Sequence, residues 1–296
     1  MDIKKFEDAD YGRLEAAGGY LSLYGKNVKR WIGIGFVVQD DCYVFETGGA
    51  AAGGVCFCDE TAEIRRIADF ALIDAKSPDG AQTLKNAALL AAKEETRYIG
   101  YNLYDDTEQY SDLLNLFFQA GFIVAQKKNS YIFECAGQAP RTGALTFRSV
   151  LEIGEDMFVR AVRDVTVGTL DRVMADDAAR LGGDKAAREY VDSLKELDFN
   201  PDWWRLGYTG DQIVGLILPQ KFDEINGGIN YIGVLPRYRG RGYGAALLAE
   251  GVRILLENGI QKIYADIDVG NHPLESELEQ AGFTFRMEES ALSYTI

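Results

Sequence analysis

Hydrophobic runs of strand-like and helix-like period alternate along this chain, and the same order of elements is met twice. Residues 1–30 mix apolar and charged positions and read as one or two helices. Apolar runs then predict strands at Trp31–Gln39, Cys42–Glu46, Val55–Asp59 and Ile64–Ile73, with Gly48-Gly49 and Gly53-Gly54 marking turns. Pro78-Asp79-Gly80 opens a helix over Ala81–Glu95, where Leu84, Ala88 and Ala91 share one side. A strand Tyr98–Leu103, a helix Ser111–Ala120 and strands at Phe122–Val124 and Tyr131–Glu134 close the first half.

The polar, Gly- and Pro-bearing stretch from Ala136 to Gly143 reads as a linker, giving domains of 1–138 and 144–296. The second half predicts a strand Leu145–Ser149 and helices Glu155–Asp164, Leu170–Arg180 and Lys185–Leu197. Strands follow at Trp204–Tyr208, Gln212–Pro219 and Ile229–Val234, then a helix Gly242–Glu257. It ends in strand Lys262–Val269, helix Pro273–Gln280 and strands Phe283–Glu288 and Leu292–Ile296. Both halves thus run strands, long helix, strand, short helix and terminal hairpin. Ala120-Gly121-Phe122 and Ala281-Gly282-Phe283 occupy the same place in that order, which points to an internal duplication.

Composition narrows the function. A chain of 296 residues with 47% hydrophobic and 11% aromatic content has ample material for two cores. Its formal net charge of −15 argues against nucleic acid as a partner. No apolar run approaches the roughly 20 residues of a membrane span, and Met1-Asp-Ile-Lys-Lys lacks a signal-peptide core, so a cytoplasmic protein is expected. Cys42, Cys56, Cys58 and Cys135 lack zinc spacing, and the single histidine, His272, is remote in sequence. Buried, reduced thiols and no metal site are expected.

The chemistry concentrates in Ile229–Leu248. An apolar strand breaks at Pro236, crosses a loop holding Arg237, Arg239, Arg241, Gly240, Gly242 and Gly244, and turns helical. The first N–H groups of a helix have no partner within it and sit at the positive end of its dipole. Glycines let an oxyanion approach the backbone, and guanidinium groups suit phosphate. A diphosphate is the natural guest. No Lys-Ser/Thr pair follows the glycines, so a nucleotide P-loop is not supplied. The glycine spacing is also wrong for a dinucleotide fold, although Asp266 lies where a ribose-binding acid would be wanted.

The pattern Arg239-x-x-Gly242-x-Gly244, preceded by Val234-x-Pro236, resembles the GNAT superfamily of N-acetyltransferases. The resemblance covers roughly Leu145 to Ile296, and its tandem members match the two-halved layout. It implies an α/β (α+β) architecture: two GNAT-like domains, each a mixed, mostly antiparallel sheet flanked by helices, with a splayed central strand. It further implies acetyl-CoA as cofactor and a small-molecule or peptide amine as acceptor. Backbone at Ile232, Gly233 and Val234 would pair with the pantetheine arm, while Arg239, Gly240, Arg241, Gly242, Tyr243 and Gly244 would cradle the diphosphate.

Gly233 reads as a bulge, a close backbone approach or a turn residue. Asn271, Gly282 and Phe283 match the family's downstream motif. Asn271 is also placed to cap a helix at Pro273, with His272 part of that cap. Leu274 and Leu278 depart from the motif. Leu278 stands where the family's proton-donating tyrosine would be, so the thiolate needs another donor, water or none. Glu224, with Asp223, precedes the splayed strand and is the candidate base; a solvated loop carboxylate is the other reading. Trp204 fits ordinary core or an acceptor wall. In the first half Ala71–Ala81 keeps one glycine, no arginine and two aspartates, which reads as a copy without cofactor binding. The expected activity is N-acetyl transfer from acetyl-CoA to a primary amine. A non-catalytic acyl-CoA sensor is the alternative.

Overall fold

A computed structural model describes residues 1–134, 145–196 and 198–296. The expected linker from Ala136 to Gly143 and Cys135 lie outside the described residues. By contact the chain divides into a first unit of Met1–Ala125 with Glu289–Ile296, and a second of Gln126–Glu288.

The first unit starts with strand β1 (Asp2–Lys5), helices α1 (Asp8–Ala17) and α2 (Gly19–Gly33), and strands β2 (Cys42–Thr47), β3 (Ala50–Asp59) and β4 (Ile64–Leu72). Helix α3 (Gly80–Ala91), strand β5 (Tyr98–Tyr104), helix α4 (Tyr110–Ala120) and strand β6 (Ile123–Glu134) follow. Trp31–Gln39 is therefore not a strand. Trp31 and Ile32 finish α2, whose Leu21, Tyr24 and Val28 are buried at helical spacing, and residues 34–38 follow it outside any strand. The sequence also hides β1, a short edge strand bearing two lysines, a composition that discourages further pairing.

The second half supplies β7 (Thr146–Ser149), helices α5 (Val150–Ile153), α6 (Glu155–Thr166), α7 (Arg172–Leu181) and α8 (Gly183–Lys195), and strands β8 (Arg205–Thr209), β9 (Gln212–Lys221) and β10 (Asn226–Val234). Helix α9 (Tyr243–Glu257), strand β11 (Lys262–Asp268), helix α10 (His272–Gln280) and strand β12 (Thr284–Thr295) complete it. The hairpins expected at the end of each half are instead single long strands, β6 and β12. Neither polar middle, Gln126–Ser130 or Glu288–Ser290, contains Gly or Pro to turn the chain. Residues 128–134 of β6 pair with β11 in the second unit, and 289–295 of β12 pair with β5 in the first. The expected boundaries at 138 and 144 therefore differ from the contact units, because partners along the ladder rather than chain order decide where a strand belongs.

Within each unit the strand order is the same. The first unit runs β1-β2-β3-β4-β5 and then 289–295; the second runs β7-β8-β9-β10-β11 and then 128–134. Neighbours are antiparallel except for one parallel pair per unit, β4 with β5 and β10 with β11. Those parallel pairs are short. β10 matches β11 over Asn226–Gly228, and β4 matches β5 over Ile64–Arg66. A register shift follows at once in each, between Ile229 and Tyr231 in β10 and between Ile67 and Asp69 in β4. Beyond it the strands part. A bulge bends its strand and increases local twist, which is what opens the gap.

A tight glycine backs the same point in both units. A Cβ built on Gly215 would lie 2.2 Å from the Gly233 carbonyl oxygen, and one on Gly53 would lie 2.7 Å from that of Ala71. The duplication read from element order is thus carried to single residues: Asp69, Phe70, Ala71 and Leu72 stand where Tyr231, Ile232, Gly233 and Val234 do.

The second unit's core packs α6, α8 and α9 on the sheet. Trp204 is 1% exposed and stacks on Phe158, with Phe199 beside it, which settles it as core. Gly251 lets α9 come close, since a Cβ there would meet Ile217 at 2.8 Å. The first unit packs α3 and α4 on one cluster and α1 and α2 on a second that holds Cys42, Cys56 and Cys58 as free, buried thiols.

Candidate functional site

Past its bulge β10 keeps β9 on one side and faces the gap on the other. The Leu235 amide donates to the Val214 carbonyl across the β9 ladder at 2.8 Å. Alternation then turns the Ile232 and Val234 amides into the gap. The chain passes through a 3₁₀ turn at Pro236–Tyr238 into α9. Gly240 and Gly242 both take left-handed backbone, with φ of 72° and 76°. Nothing lies within 4 Å of a Cβ built on either, so these glycines serve the turn and leave its amides accessible. Gly242 is the N-cap of α9, and no side chain caps that helix start.

The strand edge and helix start share one cleft of about 450 Å³. Of the residues expected at the site, Ile232, Gly233, Val234, Arg239, Gly240, Gly242, Tyr243, Gly244 and Asn271 all line it. Arg241 does not: its guanidinium lies over the Tyr238 ring at 5.6 Å. Glu224 does not either. It precedes the start of β10, whereas the cleft opens at the strand's end. Its side chain is 93% exposed and pairs with Lys221 at 3.4 Å. Proximity in sequence pointed to the wrong end of the strand. Neighbouring Asp223 folds the same loop, accepting from Asn226 Nδ2 at 2.8 Å and from the Ile225 and Asn226 amides at 2.9 Å, and these bonds, the side-chain one foremost, hold its carboxyl below the usual range.

Two residues play parts other than the expected ones. Arg239 spends its donors on backbone: Nε to the Val234 carbonyl at 3.0 Å, Nη1 to Gly168 at 2.7 Å and Nη2 to Val165 at 2.8 Å. It ties the end of α6 to the end of β10 and so fixes the cleft wall formed by Val165, Gly168, Thr169 and Leu170. Gly233 admits a close approach, but of a helix, since a Cβ there would lie 2.8 Å from Val165 Cβ. Asn271 caps α10 by accepting from the Leu274 amide at 3.4 Å, and it also lines the cleft. His272 is largely exposed, with Nδ1 3.0 Å from Glu275. Leu278 is 1% exposed and belongs to the core.

Sequence reasoning missed Glu277. Its carboxylate sits against the first turn of α9, where a Cβ on Gly244 would meet its Oε2 at 2.1 Å. Burial pushes its carboxyl above the usual range. Its spacing from Leu274 on α10, a single turn, is the signal that was available. A second carboxylate, Asp171, borders the small cavity that continues the gap between β10 and β11, beside Asp266 and Asp268. Burial raises its carboxyl too, against the Met174 amide it accepts as N-cap of α7.

Comparison with known proteins decides the family of this region. Residues 172–283 match the acetyltransferase (GNAT) family. That stretch is a GNAT domain. An acetyltransferase of Photorhabdus laumondii is 29% identical over 102 residues, which span 34% of this chain and 71% of that one. An acetyltransferase of Sodalis glossinidius shares the same identity over 70% of its length. Among solved structures, a GCN5-related N-acetyltransferase from Sphaerobacter thermophilus superposes with a TM-score of 0.63 at 16% identity, covering 99% of this chain and 95% of the other. A tandem GNAT protein from the clavulanic acid biosynthesis pathway does so with a TM-score of 0.52 at 13% identity, over 86% and 82%. The GNAT fold therefore extends to the tandem layout. Among the described residues no helix is long and apolar enough to cross a membrane.

The Glu277 carboxylate lies where the GNAT loop would receive a diphosphate, and like charge opposes it there. Glu277→Gln is expected to tighten coenzyme A binding by about three- to ten-fold near neutral pH. In the wild type, affinity should fall as pH rises through the raised Glu277 pKa, because the carboxyl becomes charged; the variant should lose that slope. Calorimetry across pH reads both.

Proposed function

We propose that the second unit is an N-acetyltransferase that binds acetyl-CoA in the cleft between β10 and the start of α9 and acetylates a primary amine of a small molecule or peptide. One observation carries this reading: among the described residues a strand edge that no strand pairs past Gly228 and a helix N-terminus without a side-chain cap open into the same cleft, joined by two left-handed glycines. The strand edge suits a chain of amides by strand addition. The helix start suits a diphosphate. When bound, the coenzyme supplies an activated thioester.

This chain's residues then do the following. Ile232 pairs with the pantetheine amides, and Gly240, Gly242, Tyr243 and Gly244 present backbone to the phosphates. The Val234 N–H, turned into the gap, holds the negative charge that develops on the thioester oxygen as the amine attacks. The attacking ammonium must first lose its proton, and Asp171, at the inner end of the gap, is better placed for that than Glu224. Leu278 cannot supply a proton to a leaving thiolate, so another group or water would do so, or the thiolate would leave unaided.

The buried Leu278 and the misplaced Glu224 favour a second reading, a non-catalytic acyl-CoA sensor. A thiol-release assay over a panel of primary amines, run beside calorimetry with acetyl-CoA, separates the two. Turnover on any amine supports transfer. Tight binding without turnover supports the sensor. Unchanged binding in a Gly240→Val/Gly242→Val double variant would overturn the assigned cleft for both.

A further inference from the structure

The first unit has the same parted strands as the second, yet the chemistry around its gap is inverted. The gap between β4 and β5 opens into a cavity of about 280 Å³, at the small end of ligand pockets. Its walls include Tyr20, Leu23 and Tyr24 from α2, Asp69 and Phe70 from β4, Tyr101 from β5, and the start of α4. Among the described residues no lysine or arginine lines it. The helix start that could receive an anion is closed, because Gly80 is packed against Leu116 and Leu72. In the second unit the first-turn glycine of α9, Gly244, faces Glu277 instead. An anionic ligand therefore meets no cation among the described lining residues, and the start of α3 is closed to it.

A cationic one has both a charge and rings. The bulge in β4 turns Asp69 toward α2, where its carboxylate accepts from Asn27 Nδ2 at 3.0 Å and from the Phe70 amide at 2.9 Å. No ion pair of Asp69 with a lysine or arginine is found among the described residues. The Tyr24 hydroxyl is held by the Tyr43 carbonyl and the Tyr101 ring is stacked on Phe117, so both walls are fixed in place. The Tyr20 hydroxyl is shielded from solvent and faces Glu108 and Gln109, which also line the cavity. Gln109, which follows, is the one non-glycine described residue with positive φ, at 62°. Such strain persists only where the surroundings impose it, and it collects at ligand sites.

We propose that this cavity binds a small organic ammonium ion on an apolar or aromatic body, its charge on the Asp69 carboxylate and its body among Tyr20, Tyr24 and Tyr101. Asp69 is half-buried, and such a carboxylate gains from a ligand that brings a cation to it. Aromatic faces add attraction for the same charge. The inference concerns the first unit alone and does not rest on acetyl transfer by the second.

The test is calorimetry of the full chain with phenethylammonium and with 2-phenylethanol, its neutral counterpart. The ammonium should bind about ten-fold more tightly or better. Asp69→Asn should remove that preference. Equal binding of the two probes by the wild type, or no binding of either, overturns the proposal without need of any variant. Crystals soaked with 2-(4-bromophenyl)ethylammonium locate the site by anomalous scattering. Bromine inside the Tyr20–Tyr101 cavity supports the proposal, and bromine solely in the second unit overturns it.

Discussion

Arg239→Ala is expected to weaken acetyl-CoA binding by about ten-fold or more, although the side chain's work is done on protein backbone. Three carbonyls lose their donor at once: Val234 at the end of β10, Val165 in the last turn of α6, and Gly168 just beyond. The last carbonyls of a helix have no intrahelical partner, and a cation there also meets the negative end of the dipole. The guanidinium is exposed, so solvent replaces part of what is lost, and the cost to folding should be about 1–3 kcal/mol. The cost to binding is larger because the tie sets the distance between the wall at Gly168–Leu170 and the strand edge. Arg239→Lys restores charge but not a planar fork that reaches three oxygens. It should recover little, and urea melts with calorimetry will show whether stability and affinity fall together. Full affinity in the lysine variant would mean that Arg239 acts as a simple charge.

Gly215→Ala should do more damage still. The added methyl group would sit 2.2 Å from the Gly233 carbonyl oxygen, 2.8 Å from Leu247 Cδ1 and 3.1 Å from Val234 Cα. Two of these are backbone atoms and cannot step aside as a rotamer can. Overpacking of this kind costs about 1–3 kcal/mol and sometimes more, and relief means moving β10 itself. Loss of coenzyme A binding and a marked fall in the denaturation midpoint are expected together. Gly53→Ala makes the matching collision with Ala71 in the first unit, so it should destabilise without altering the cleft of the second. Gly12→Ala, on α1 with open space around it, should be neutral or stabilising by about 0.5–1 kcal/mol. If all three glycines behaved alike, close packing would not be the reason Gly215 is required.

Strong local requirements made much of this site legible. A proline that ends a strand, glycines that must take positive φ and an apolar helical face each act within a few residues. The loop Pro236–Gly244 and its helix therefore emerged from sequence with nearly correct bounds. Contacts made across the fold did not emerge. Arg239 looked like a phosphate ligand because nothing in its neighbourhood announces the carbonyls of Val165 and Gly168. Gly233 called for close approach, but only packing reveals that a helix rather than a cofactor makes it. Glu224 was chosen by nearness in sequence, and the direction of β10 carried it away from the cleft. Asp171 escaped notice because it reaches the gap from a helix that precedes the strand by a long stretch of chain. The duplication was visible as an order of elements, and the shared bulges and glycines then fixed it residue by residue.

The exchanged ladder partners of β6 and β12 bear on how the protein is divided. A fragment ending at Ala125 lacks the residues Glu289–Ile296 that belong to its own unit, and the ladder edge of β5 would lie bare. The complementary piece of chain would carry a final strand with no β5 to receive it. Two such polypeptides, made separately, have reason to aggregate when alone and to recover solubility when co-expressed. Gene dissection after Ala125 is therefore a poor route to an isolated second unit, and split-protein complementation is the more natural use of that joint.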